Sequence, residues 1–143
     1  MNDFSLHPRL QEDSLHILDL PLCKLLLMND QHYPWFILVP MKKDLSEIFQ
    51  LSEADQHQLL KESAWVSEYL LQHFRADKLN IAALGNMVPQ LHVHHIARFK
   101  TDPAWPAPVW GKFEAKPYSS TEANIVIESV SQFMKGKLLH EAN

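Results

Sequence analysis

Two short apolar runs stand out along the chain: residues 22–28, LCKLLLM, and residues 35–39, WFILV, the second ending at Pro40. Asn29-Asp30-Gln31 between them has turn chemistry. The pair predicts a hairpin, and the unbroken second run predicts a central strand buried on both faces. The period then changes. Ser52, with Asp55 three positions later, has the form of a helix start, and Leu59, Ser63, Val66 and Leu70 beside Leu60, Ala64, Leu71 and Phe74 recur at helical spacing. One long helix is predicted over residues 53–74, with Trp65 at the edge of its stripe and His57 and His73 in solvent. Residues 78–84 and 90–99 predict two further strands on either side of the turn signal Gly85-Asn86. Across residues 101–118 prolines fall at 103, 106, 108 and 117, which predicts an extended arm rather than a helix or a ladder strand. Ser119 and Glu122 open a last helix, with Val126, Val130 and Phe133 as its stripe up to about Gly136. Hairpin, helix, hairpin, helix is the order of an α+β domain with an antiparallel sheet.

Composition adds bounds to this pattern. The chain has 143 residues, 46% hydrophobic and 21% charged, which fits a single globular domain over residues 1–143 and excludes a disordered or fibrous chain. Its three glycines, Gly85, Gly111 and Gly136, are too far apart for a dinucleotide fingerprint or a P-loop. Thirteen Lys and Arg against 17 Asp and Glu give a net charge of −4, and no basic run exceeds Lys42-Lys43, so nucleic acid is not the expected partner. The single Cys23 lies in the first apolar run, where a buried thiol is expected, and it permits a reducing compartment. MNDFSLHPRL lacks the features of a signal peptide and no stretch approaches the ~20 apolar residues of a membrane span, so a cytoplasmic protein without membrane contact is expected.

Chemistry concentrates in QLHVHHIAR, residues 90–98. On a strand, alternation puts Gln90, His92 and His94 on one face, with Arg98 further along it, and Leu91, Val93 and His95 on the other. Three readings account for the row. It is a histidine-rich surface strand; or a zinc site, although no Asp, Glu or Cys lies between residues 80 and 100 to complete it; or it holds a histidine nucleophile, whose neutral nitrogen attacks phosphorus while neighbouring donors steady the phosphoryl oxygens.

The stretch VPQLHVHHIAR resembles the signature of the histidine triad family, His-φ-His-φ-His-φ-φ with φ apolar. His92 matches the central, nucleophilic histidine, His94 the third, and Gln90 stands in place of the first. LLLMND followed by YPWFILVP resembles the family's first hairpin, and the wording LLMND, YPWFILVP, GNMVPQLHVH and AWPAPVWG is similar to a bacterial branch described as diadenosine tetraphosphate hydrolase-like. The resemblance implies a homodimeric nucleotide hydrolase or transferase without a cofactor or bound metal, acting on a phosphoanhydride or phosphoramidate bond. In it His92 attacks the α-phosphorus, while His94 and Gln90 hydrogen-bond phosphoryl or leaving-group oxygens. It further implies that Asn29 or Asp30 holds ribose hydroxyls, that Asn86 lies near the phosphates, and that Trp105, in Trp105-Pro106-Ala107-Pro108, belongs to an arm that reaches the partner subunit's site. Several positions depart from the pattern: Trp35 stands where many relatives have another histidine, Met87 where some have a phosphate-binding Ser or Thr, and His95 where an apolar residue is usual. A catalytically weak nucleotide-binding module of the same fold is the alternative. By position alone, Arg98 reads as a solvated charge at a strand end, and His95 as a partly buried ring with one nitrogen satisfied.

Overall fold

The computed structural model describes residues 3–142, so residues 1, 2 and 143 of the expected domain lie outside the described residues. The chain forms a short helix α1 (Pro8–Asp13), then strands β1 (Ser14–Asp19), β2 (Cys23–Met28) and β3 (Trp35–Pro40). A 3-10 turn at Ile48–Gln50 leads into the long helix α2 (Glu53–Phe74), followed by strands β4 (Lys78–Ala82) and β5 (Val93–Arg98) and helix α3 (Ser120–Ala142). All five strands pair antiparallel in one sheet, in the order β1-β2-β3-β5-β4. The α+β class and the antiparallel sheet therefore agree with the hydrophobic pattern.

Strand β3 is buried along its whole length, and its two faces enter different cores. Phe36 and Leu38 join Leu25, Leu27, Val66, Leu70, Val130 and Met134 beneath α2 and α3. Trp35, Ile37 and Val39 join Leu10, Val88, Ala104 and Val109 on the opposite side. That second face is covered by α1, the loop after β4 and the proline-rich arm rather than by a long helix. An unbroken apolar run is what such double burial requires.

Helix α2 begins as its start signal dictates, with Ser52 Oγ accepting the N–H of Asp55 at 3.1 Å, and it ends at Arg75, which takes the left-handed conformation at φ 54°. Trp65 is buried rather than at an edge, while His57 and His73 are exposed and His73 stacks on Tyr69. Inside α2, Glu62 is fully buried and accepts the backbone N–H groups of Leu22 at 2.8 Å and Cys23 at 2.9 Å, together with the Gln58 amide at 2.8 Å. A carboxylate so supplied with donors tolerates burial and clamps the helix to the start of β2. Cys23 is the buried thiol expected of it, its pKa pushed up by burial and by the Glu62 charge.

The pattern predicts no element before residue 22, and two are found there. Helix α1 has only six residues and buries one of them, Leu10, and β1 is irregular against β2 between His16 and Leu18, so neither carries a clean period. Helix α3 runs through Gly136, which sits in open space, and its last turns are tied to α2 by the ion pairs Lys137–Glu68 and Lys61–Glu141. The two later strands are shorter than their apolar runs because pairing stops at Ala82 opposite His94 and at Leu38 opposite Val93. Among the described residues no helix is long and apolar enough to cross a membrane.

Candidate active site

Strand β5 delivers the histidines. In the sheet His94 lies opposite Ile37 on β3 and Ala82 on β4, and His92 sits just before the first paired residue. Both rings line a cavity of about 320 Å3 whose other walls come from α1 (Arg9, Leu10, Asp13), the loop bearing Asn86 and Met87, and Trp110 of the arm. His95 and Val93 point to the other face, under α2, as alternation requires. The lining is mainly apolar with a few polar groups, the usual build of a small-molecule site.

Each histidine has a defined hydrogen-bond pattern. The backbone oxygen of Gln90 lies 2.7 Å from His92 Nδ1. A carbonyl only accepts, so Nδ1 carries the proton and, in the neutral ring, Nε2 keeps its lone pair. His92 is buried at the floor of the cavity, not laid on an open face. Trp35 Nε1 donates to His94 Nδ1 at 3.0 Å, and the His92 and His94 rings meet edge to face with centroids 4.9 Å apart. Burial, followed by the neighbouring His92 and His95, pushes the His94 pKa down to about 3. His95 is fully buried with both nitrogens occupied, Nδ1 donating to the Val93 carbonyl at 3.1 Å and Nε2 meeting Ser63 Oγ at 2.7 Å. The expectation of one satisfied nitrogen is corrected: at a position that the signature reserves for an apolar residue, full burial requires full pairing.

Of the other candidates, Asn86 lines the cavity. Gln90 does not. Pairing begins at Val93, which frees Gln90 from the strand, and its side chain turns to the N-terminal segment, accepting the His7 N–H at 2.8 Å and donating to the Ser5 carbonyl at 2.9 Å. Asn29 and Asp30 also stand away from the cavity lining. Asn29 Oδ1 accepts the N–H of Tyr118 at 2.9 Å, while Asp30 Oδ1 accepts the N–H of Lys116 at 3.2 Å and that of His32 at 3.1 Å. Oxygens expected to meet ribose hydroxyls are thus engaged in holding the arm to the hairpin turn. Trp105 lies over the Arg98 guanidinium, 5.6 Å from ring centroid to Cζ, rather than in the cavity.

Arg98 itself is a correction. It is buried, not solvated, and forms an ion pair with Asp102 at 2.8 Å while also donating to Asn80 Oδ1 and the Ala107 carbonyl. Desolvation raises the Asp102 pKa, but the Arg98 guanidinium and the N–H groups of Phe99, Ala104 and Trp105 outweigh it and leave the carboxyl at about 2. The residues missed from the sequence are Trp110 and the α1 wall. Trp110 packs edge-on against His94, centroids 5.2 Å apart, and its signal was present in the same AWPAPVWG stretch that drew attention to Trp105.

Among the described residues, no three His, Cys, Asp or Glu side chains converge in a metal-holding group. A model of the HIT domain, the histidine triad fold, matches residues 9–101, more than half of the chain. The chain belongs to the HIT domain family. This HIT protein is 50% identical to a histidine triad protein of Bradyrhizobium japonicum, whose structure superposes with a TM-score of 0.88 over 90% of this chain and 96% of that one. A histidine triad protein of Marinobacter aquaeolei VT8 is 46% identical, with a TM-score of 0.91 over 93% and 97% of the two chains. One from Sinorhizobium meliloti 1021 is 44% identical, with a TM-score of 0.89 over 92% and 98%. No curated protein matches the chain. Membership supports a nucleotide-binding or hydrolase-type function for this HIT protein.

Proposed function

We propose that this HIT protein is a nucleotide hydrolase or transferase which cleaves a phosphoanhydride or phosphoramidate bond, as in a dinucleoside polyphosphate, through a nucleotidyl-His92 intermediate. The observation that carries the reading is the His92 ring: its Nδ1 proton is committed to the Gln90 carbonyl, and its Nε2 lone pair belongs to a ring that lines the cavity. Attack by Nε2 on the α-phosphorus forms a P–N bond, and the bond to the leaving group breaks with its electron pair departing on that group. Water then attacks the same phosphorus, and the P–N pair returns to Nε2. His94 and Asn86, which share the cavity, supply hydrogen bonds to phosphoryl oxygens. Gln90, Asn29 and Asp30 act one step back by holding the walls, and Trp105 acts through Arg98.

The same reading takes the protein to be a cytoplasmic homodimer. Strand β4 is an unpaired sheet edge with Ile81 half exposed, and α2 beside it shows Leu60, Ala64 and Leu71 in one exposed row. Sedimentation is expected to give twice the mass of the chain, and a monomer that turns over substrate refutes this part.

The experiment for function is a panel of dinucleoside polyphosphates and nucleoside phosphoramidates with product analysis of wild type and His92→Ala. Mononucleotide product from wild type and none from the variant supports the reading. Tight nucleotide binding without product moves the protein to the alternative, a binding module, and equal product from His92→Ala overturns the mechanism.

A further inference from the structure

Trp35 reaches His94 through sheet register. It pairs with Ile96 on β5, so His94, two residues away on the same face, is its diagonal neighbour. An indole has a single polar atom, and that atom only donates. Nε1 lies 3.0 Å from His94 Nδ1, which must therefore present its lone pair. A neutral imidazole has one proton to place, and it is left on Nε2. An imidazolium would set N–H against N–H. Packing holds the donor in place: Trp35 is buried, edge-on to Trp110 at 5.7 Å and to Tyr33 at 6.4 Å between centroids.

We infer that Trp35 is a positioning residue that locks His94 in one neutral tautomer, with its proton on Nε2, so that the cavity meets a hydrogen-bond donor of fixed polarity. A histidine at position 35 could give or take a proton and could itself titrate; the indole leaves one arrangement. The titratable groups near His94 are His92 beside it on the same face, His95 behind it on the opposite face of the strand, and Arg9 and Asp13, which line the same cavity from α1. Ile37 on β3, Ala82 on β4, residues 84–88 and Trp110 bring none. Burial and the two histidine neighbours also oppose charging of His94. Resting on the hydrolase reading, the consequence for turnover is that His94 holds a substrate oxygen but transfers no proton between pH 5 and 8.

Two-bond 1H–15N spectra of the histidine rings in the uniformly labelled full chain test the lock directly. The expected result is an Nε2–H tautomer for His94 that persists unchanged from pH 5 to 8. An Nδ1–H tautomer, or a titration within that range, overturns the inference without recourse to any variant. Trp35→Phe keeps an aromatic ring and removes the donor; both tautomers of His94 are then expected, and kcat for adenosine 5′-phosphoramidate should fall about tenfold with KM within about twofold. Unaltered His94 signals in a folded Trp35→Phe variant also overturn it. A persistent lock in a chain that turns over no nucleotide supports the inference and overturns the hydrolase reading instead.

Discussion

His92 Nδ1 lies 2.7 Å from the main-chain oxygen of Gln90, so the ring that carries the proposed chemistry is oriented by its own backbone two residues upstream. No substitution of the Gln90 side chain removes that contact, which separates two roles that the signature position otherwise merges. Replacement of His92 by Ala is expected to abolish nucleotide turnover. Because the ring lies at a cavity rather than in a packed core, stability should change by no more than about 1–2 kcal/mol. Product analysis, urea unfolding and calorimetric nucleotide titration check the three parts, with affinity expected within a few-fold of wild type.

Gln90→Ala should act on the cavity wall instead. Its amide makes one partly buried bond to residue 7 and one exposed bond to residue 5, next to the helix that bears Arg9, Leu10 and Asp13. Loss of two such bonds is worth roughly 1–3 kcal/mol. The expected outcome is a raised KM with kcat nearly kept, and faster amide exchange at His7. Gln90→His is expected to alter the rate by no more than about tenfold, since the nucleophile's orientation does not pass through the side chain. Steady-state kinetics of both variants decide it, and a gain of several orders for histidine would assign the position a proton-carrying role.

The Arg98–Asp102 pair fastens the arm to β5. Asp102→Asn leaves a guanidinium buried without its counter-charge, a change expected to destabilise by about 3–5 kcal/mol. A paired Arg98→Met, Asp102→Asn variant should recover part of that loss, because the unpaired charge is gone. Thermal unfolding of the single and double variants measures the difference, and Trp110 fluorescence is expected to report loosening of the arm at the cavity.

Acid should weaken the fold well above the range of ordinary carboxylates. His94 and His95 are held near pKa 3 and 4, largely by burial, against about 6.5 for a free imidazole. Below pH 6.5 the unfolded chain therefore binds two protons that the folded chain refuses, and stability falls as pH drops, until the folded values are reached. The slope approaches about 2.7 kcal/mol per pH unit for two such groups. Asp102 adds to it only lower, between pH 4 and about 2, where its depressed carboxyl protonates. Urea unfolding from pH 7 to pH 4 tests the histidine part, and His95→Gln should roughly halve the slope.

The bounds of α2, the double burial of β3 and the common face of His92 and His94 were all legible in the chain. Each follows from a period, 3.6 or 2, or from an unbroken apolar run, and each is expressed within one segment. His92 as nucleophile is a proposal that rests on resemblance, through spacing within five residues. Helix α1 and β1 were not legible, being too short and irregular to show a period.

What the remaining residues do was decided by tertiary structure. Gln90 turns to Ser5 and His7, Asn29 and Asp30 hold residues 116 and 118, Arg98 is buried beneath Trp105, and Trp35 takes His94 as its acceptor. A buried or half-buried polar side chain goes to whatever partner the fold brings near, and those partners lie 59 to 89 residues away for all of these but Arg98. Local pattern determines which face a side chain is on; only packing of distant segments determines which donor or acceptor it meets there.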